Sequence, residues 1–473
     1  MAKGVWSRRP ECSEIVLPDL EIPGQARRDR ITGSLIYEFL RCEHAVHLEL
    51  FAEPERRLPP GPALEKLLAR GREYEQSVVA GLDYAEPAHD PRDLAQGARA
   101  TLGLMTEAVP GISQGVLERH PYLGIPDLLR REAGASRFGD YHYVAGDIKS
   151  SYRSRSDQAL QVTFYSCLLG EIQERVPGYG YLILRDGREE RLDLAALLPV
   201  LLEVIEEIGE HLQGAESRPH RSVSCRDCRW RELCAESPDV FWIPGLTRSV
   251  RSILQESGYA TLDALASADP KALGKAGRLP ESTWERARSG ARAVRQGRAQ
   301  KLREPRSSEL GKVRRPAVIL RDGFERRFPV FGSLADDGRP RMHLAMERGE
   351  EEQALTRFLN ETRGSDRLCH AGGLPASLYY FAERFPHLVK EAASSEARSV
   401  DVMSLVRGAW IFPAPVSSPG EALAWIRGEA PDEPGEDVAL LLDAGDAEGL
   451  LELARRDLEA LRLLLGVLDG KLP

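Results

Sequence analysis

The sequence has no apolar run approaching the roughly 20 residues that a membrane-spanning helix needs. Its longest, Ala195 to Ile205, is short and broken by charge at Glu203, so no membrane partner is expected. The opening MAKGVWSRRPECSE has no apolar centre of the kind a secretion signal carries. A cytoplasmic location is therefore expected, where structural disulfides are rare. Also missing is a GxxxxGK(S/T) phosphate loop, so the chain is not expected to hydrolyse ATP on its own. A net charge of −9 argues against indiscriminate binding to nucleic acid.

What is present is a globular composition, with 42% hydrophobic and 29% charged residues over 473 positions. That length predicts two or three cores. Charge is unevenly spread. From Glu285 to Arg327 there are 14 Lys/Arg against 5 Asp/Glu, whereas Asp432 to Glu448 is acidic with no basic residue.

Residues 1–30 are polar and Pro-rich and read as a loosely packed arm. Thr32 or Ser34 caps a helix expected over Ile31 to Phe51, and a second is expected over Ala63 to Leu82. Strand-like alternation marks Gln114 to Leu129 and Tyr141 to Asp147, with Tyr179 to Leu184 a third candidate. Leu160, Phe164, Leu168 and Ile172, four apart, predict a helix over Asp157 to Glu174. Leu194 to Leu212 reads as an amphipathic helix. This order predicts an α/β unit over residues 31–240, a mixed sheet flanked by helices. Residues 241–301 read as helical, with turns at Gly245 and Gly258. Residues 302–315 read as a basic linker. Pro316 to Leu334 reads as two short strands opening a last unit, 316–473.

Four local features share one chemistry. Gly124-Ile125-Pro126-Asp127 and Gly146-Asp147-Ile148-Lys149 each end an apolar strand, Gln161 to Tyr165 begins the following helix, and Glu75 lies on an earlier helix. Asp127 and Asp147, with Glu75 and the Ile148 carbonyl, offer oxygen ligands for a hard cation such as Mg²⁺ or Mn²⁺. Lys149 follows Asp147 by two, hence on the same strand face, where an ammonium can orient water and offset charge on a phosphate. Gln161 and Tyr165, four apart, share a helix face. Each piece alone is common as a surface ion pair or turn; their order and spacing give them weight.

Cys225-x₂-Cys228-x₅-Cys234 is a metal-ligand spacing. Cys42 is the expected fourth ligand, with Cys12 the alternative. Four thiolates suit Zn²⁺ or an iron–sulfur cluster, and the spacing does not choose. Cys167 reads as a buried small hydrophobe.

Together these residues resemble the RecB-like branch of the PD-(D/E)XK nuclease superfamily. There a helix carries His or Glu, a strand ends in G-h-x-D, the next carries (D/E)-x-K, and a helix follows with Q-x-x-x-Y. Glu75 stands for the more usual His and Asp147 for the more usual Glu. The resemblance implies a restriction-endonuclease-like sheet and a Mg²⁺- or Mn²⁺-dependent deoxyribonuclease acting on ends or single strands. A helicase or another DNA-processing protein is an expected partner. Members of the AddB type, and those that accompany CRISPR adaptation, hold a [4Fe–4S] cluster by one cysteine before the nuclease motifs and three after. That implies a cluster on Cys42, Cys225, Cys228 and Cys234. Ile243 to Ala266 resembles a helix-hairpin-helix element, whose phosphate-binding face Arg288, Arg292 and Arg295 would extend. A subgroup adds an RNase H-like exonuclease domain. Residues 316–473 look like a degenerate copy, with Arg367 to His370, Ser399 to Asp401 and Arg455 to Asp457 in its motif places. Arg327 to Gly332 lacks the D-x-E that two-metal exonuclease chemistry needs, so this domain is not expected to catalyse. The competing reading of the whole chain is a non-catalytic nucleic-acid-binding or scaffold subunit.

Overall fold

A computed structural model describes residues 17–24, 26, 29–215, 217–236, 239–269, 278–304, 314–363, 367–431 and 438–472. Cys12, most of the basic linker and the start of the acidic stretch lie outside them. The chain is mixed α/β and divides into two compact units. Residues 1–219 and 226–233 form the first; 220–225 and 234–473 form the second. No helix among the described residues is long and apolar enough to cross a membrane.

The first unit begins with β1 (Ile31–Thr32), α1 (Gly33–Arg41) and α2 (Glu43–Phe51). Thr32 caps α1 by accepting from the Leu35 N–H, as expected. The single helix expected over Ile31 to Phe51 is instead two. Cys42 is extended, with φ −166° and ψ 108°, so it ends α1 and starts α2. The apolar spacing runs on across the break, which hides it from pattern reading. Next come α3 (Pro62–Val79) and α4 (Leu94–Thr106), the latter opened by an Asp93 cap.

Strands β2 (Gly111–Ser113), β5 (Leu128–Ser136), β6 (Gly139–Ile148), β7 (Gly180–Ile183) and β8 (Glu189–Leu192) form one sheet in that spatial order. Only β6 and β7 are parallel, and the connection between them carries α5 (Ser156–Gln173). The shorter β3 (Leu117–Arg119) and β4 (Tyr122–Gly124) pair with each other, and β4 with β1. Helices α5 and α6 (Leu194–Leu212) bury Phe164, Leu168, Leu201, Ile205 and Ile208 against Leu35 and Ile36 of α1. The arm is less loose than expected where it is described. Leu17 is buried, its N–H donates to Glu171, and the Pro18 carbonyl accepts from the Tyr122 hydroxyl at 2.6 Å.

The short helix α7 (Arg231–Ala235) follows, then α8 (Arg248–Glu256), α9 (Leu262–Ser267) and α10 (Glu281–Gln296), and after these helices the two-residue strand β9 (Gln300–Lys301). Helices α8, α9 and α10 surround Ile243, Leu254, Leu265 and Trp284. Gly245 and Gly258 have φ of +75° and +87°, the left-handed turns their positions called for.

The last sheet is ordered β12 (Pro340–Leu344), β11 (Arg327–Leu334), β10 (Arg314–Asp322), β13 (Arg367–His370), β14 (Ser399–Asp401). The first three are antiparallel, and β13 and β14 run parallel to β10. The strand expected to carry D-x-E, Arg327 to Gly332, is thus the second of this sheet along the chain, and β10 is central. Within β10 the one acid is Asp322 at its end, where it accepts from the Phe324 N–H. Asp401 caps the helix Val402–Ala409, accepting from Met403 and Ser404, so its structural role is a helix cap.

Candidate active site

The first unit gathers the expected acids. Asp147 and Ile148 end β6, Lys149 follows, and the Lys149 N–H continues the ladder by donating to the Ile183 carbonyl at 2.8 Å. Alternation along β6 sends Asp147 and Lys149 to one face. Asp147 is 2% exposed, and its Oδ2 pairs with the Lys149 ammonium. Among the described residues that ion pair is the contact this oxygen makes, with no hydrogen bond of ordinary geometry beside it. Asp127, just before β5, accepts from the Ile148 N–H at 2.7 Å through Oδ2. This ties the two acidic motifs together across the β5–β6 pair.

Helix α3 supplies Glu75. The residue that joins Glu75 to Asp127 was not anticipated. Gln114 Nε2 donates to Glu75 Oε1 at 2.6 Å and to Asp127 Oδ1 at 3.1 Å. Gln114 sits between β2 and β3 with φ +53°, unusual for a residue bearing a Cβ. Its own N–H donates to the Asp127 carbonyl at 3.0 Å. The one signal in the sequence is a polar residue before Gly115 between two strand segments.

The other expected side chains orient the lysine. Lys149 Nζ donates to Gln161 Oε1 at 3.1 Å, and Gln161 Nε2 donates to the Tyr165 hydroxyl at 2.8 Å. Tyr165 reaches this place because two neighbours are glycine. A Cβ at Gly33 would lie 2.6 Å from its ring, and one at Gly124 2.8 Å.

Electrostatics follow from packing three acids together. Burial, then the Asp147 carboxylate, pushes Asp127 well above the ordinary carboxylate range. The same two causes raise Glu75. Burial alone would lower Lys149, but Asp147 and Asp127 outweigh it and keep the ammonium charged. Burial and Asp147 hold the Tyr165 hydroxyl well above its usual value, hence neutral. Among the described residues, no set of three or more His, Cys, Asp or Glu side chains stands ready to close on a metal ion. Instead the Gln114 amide and the Lys149 ammonium hold the carboxylates. The donor set still suits a hard divalent cation, since positive charge would relieve the repulsion that raises Asp127 and Glu75.

The four cysteines are half-buried. Cys42 and Cys228 belong to the first unit, Cys225 and Cys234 to the second. Two accept N–H groups at sulfur, Cys225 from Ser222 and Cys228 from Trp230, each at 3.4 Å. Trp230 is buried, and its indole N–H donates to Glu49 at 3.0 Å, which also pairs with Arg57 at 2.7 Å. Leu58 donates to the Arg229 carbonyl at 2.9 Å. Cys228 is thus anchored beside the stretch that follows α2. Cys167 is buried within α5, as expected.

Two of the three arginines expected to meet phosphates have partners of their own. Arg292 donates to the Ala266 carbonyl at 3.0 Å and Arg295 pairs with Asp263 at 2.5 Å, both fastening α10 to α9. Arg288 Nε is buried with no hydrogen-bond partner among the described residues. Comparison of the sequence with protein-family models found no match, and comparison with curated proteins found none either.

Proposed function

We propose that the chain is a Mg²⁺- or Mn²⁺-dependent nuclease of the RecB-like PD-(D/E)XK kind, hydrolysing DNA at ends or in single strands. The convergence of Glu75, Asp127 and Lys149 around the buried Asp147 carries this reading. Glu75, Asp127, Asp147 and the Ile148 carbonyl would hold the cation. When bound, it polarises the scissile phosphate and eases ionisation of water. The chain's own part is positional. Gln114 spaces Glu75 from Asp127, the Ile148 N–H fixes Asp127, and Gln161 with Tyr165 steadies the Lys149 ammonium. That ammonium orients the attacking water and offsets charge growing on the phosphate.

Cys42, Cys225, Cys228 and Cys234 would hold a [4Fe–4S] cluster, with zinc the competing occupant. The metal-ligand spacing supports a metal, and the N–H donors at Cys225 and Cys228 suit ligating thiolates. The role is structural, closing the loop between residues 42 and 225. Anaerobically purified protein should absorb broadly in the visible, and Cys228→Ala should lose colour and fold. Colourless protein with stoichiometric zinc overturns the cluster.

Residues 316–473 are read as an RNase H-like domain without catalysis. The three antiparallel and two parallel strands support the fold, and the lack of paired acids on β10 supports the loss of activity. Labelled single- and double-stranded DNA with Mn²⁺ tests the whole proposal. Cleavage should be lost in Lys149→Ala; cleavage that survives there would falsify the active site. Tight binding without cleavage in both proteins favours the scaffold reading.

A further inference from the structure

We propose that the loop from Lys149 to Arg155 and the turn from Leu184 to Arg188 form a guide that holds a single strand of nucleic acid beside the carboxylate site. This inference rests on the nuclease reading and adds the surface that would bring a strand to it.

The two segments run side by side. Arg185 N–H donates to the Ser151 carbonyl at 3.0 Å, and Arg188 Nη2 donates to the Tyr152 carbonyl at 3.1 Å. Between them they carry five Lys or Arg and one acid, Asp186, in a chain whose net charge is −9. Neutralising the buried acids does not account for this excess. Lys149 pairs with Asp147, Arg155 with Asp157 and Arg188 with Asp186, which still leaves these segments net positive. Arg153 and Arg188 are exposed, where solvent and salt screen their interaction with buried charge. A polyanion is the partner that this net positive charge fits.

Aromatic groups make the choice between single strand and duplex. Tyr74 precedes Glu75 on α3, its hydroxyl donates to the Leu184 carbonyl, and the Arg185 guanidinium lies 4.8 Å from its ring. Tyr152 lies in the loop itself and is half-buried. An aromatic side chain on a basic loop serves unpaired bases, whose faces are free to stack, whereas a duplex hides those faces. The guide touches the chemistry at both edges, because Lys149 opens the loop and Tyr74 adjoins Glu75.

The test uses full-length protein and a labelled single-stranded oligothymidylate, without divalent cation, so that no strand is cut. The affinity is measured over a range of salt. Each single-strand phosphate contact contributes about 0.7 to the slope of log affinity against log salt. Arg153→Gln with Arg185→Gln should therefore flatten the slope by about 1.4. Tyr152→Leu should weaken the oligothymidylate about tenfold and leave an abasic strand unaffected. An unchanged slope together with unchanged Tyr152→Leu binding overturns the guide. A duplex bound as tightly, with the same arginine dependence, overturns the single-strand assignment. Guided binding with no metal-dependent cleavage removes the nuclease reading and keeps the guide. Lys149-dependent cleavage with no effect of these variants removes the guide alone.

Discussion

The carboxamide of Gln114 donates to two acids at once, Glu75 Oε1 at 2.6 Å and Asp127 Oδ1 at 3.1 Å. A neutral donor between two carboxylates fixes their spacing without adding charge to compete with a cation. Removing it by Gln114→Leu should weaken Mn²⁺ binding about 10–100-fold, the usual cost of losing a group that orients metal ligands. Gln114→Glu places a third carboxylate there and should bind the metal while misplacing it, lowering cleavage more than affinity. Mn²⁺ titration followed by electron paramagnetic resonance separates the two effects. Unchanged affinity in Gln114→Leu means the bridge is incidental.

Burial and the Asp147 carboxylate raise both Asp127 and Glu75 above their ordinary values. Each therefore keeps a proton at a pH where an exposed acid has lost it, and a metal must displace that proton. Apparent Mn²⁺ affinity should rise with pH through a window above the ordinary carboxylate range. Calorimetry in buffers of different ionisation enthalpy should show net proton release. Asp127→Asn should reduce that release, and equal heats in all buffers would contradict the assignment.

The carboxylate site was legible because its parts sit at strand ends, where a period of two decides which face a side chain takes. Asp147 and Lys149 follow that rule, and Gln161 and Tyr165 follow its helical counterpart. Gln114 was not legible, since a lone glutamine at positive φ belongs to no period and its partners lie 39 and 13 residues away. The break at Cys42 was hidden because Leu35, Ile36, Phe39, Val46 and Leu50 are all buried on both sides of it. The last sheet shows a third limit. β10 and β11 are both rich in strand-forming residues, and local pattern does not reveal which becomes central.

Asp457, on the helix Ala447–Leu468, offers a stability test away from the site. Burial raises its carboxyl to about 6 against an ordinary 3.8, with Arg456 opposing. The folded state then binds more protons than the unfolded one between those values, so unfolding free energy falls as pH rises through them. Below the unfolded value the carboxyl is protonated in both states and costs little, whereas above the folded value its buried charge carries the full penalty. Asp457→Asn should stabilise the protein by up to about 2 kcal/mol at neutral pH and by almost nothing in acid. Denaturant titrations at both extremes check this. An equal effect at the two pH values would show that the carboxyl is hydrated in the fold.

Gly33 and Gly124 make the room that Tyr165 occupies, and the consequence reaches Lys149. A methyl at Gly33 would meet Tyr165 Cε1 at 2.6 Å and its hydroxyl at 2.7 Å, so the ring has to move. Overpacking of this kind costs about 1–3 kcal/mol. The displaced hydroxyl releases Gln161, and Gln161 releases the ammonium it holds at 3.1 Å. Gly33→Ala should therefore lower cleavage by roughly a hundredfold, the scale of a small misplacement at a reacting centre. Its Mn²⁺ affinity should stay near that of the parent, because neither Tyr165 nor Gln161 is among the proposed metal ligands. Adding Tyr165→Leu, which shortens the side chain, should recover most of the lost thermal stability while leaving cleavage low. If the double variant recovers cleavage as well, Gly33 matters for packing alone, and the path from Tyr165 through Gln161 does not govern the lysine.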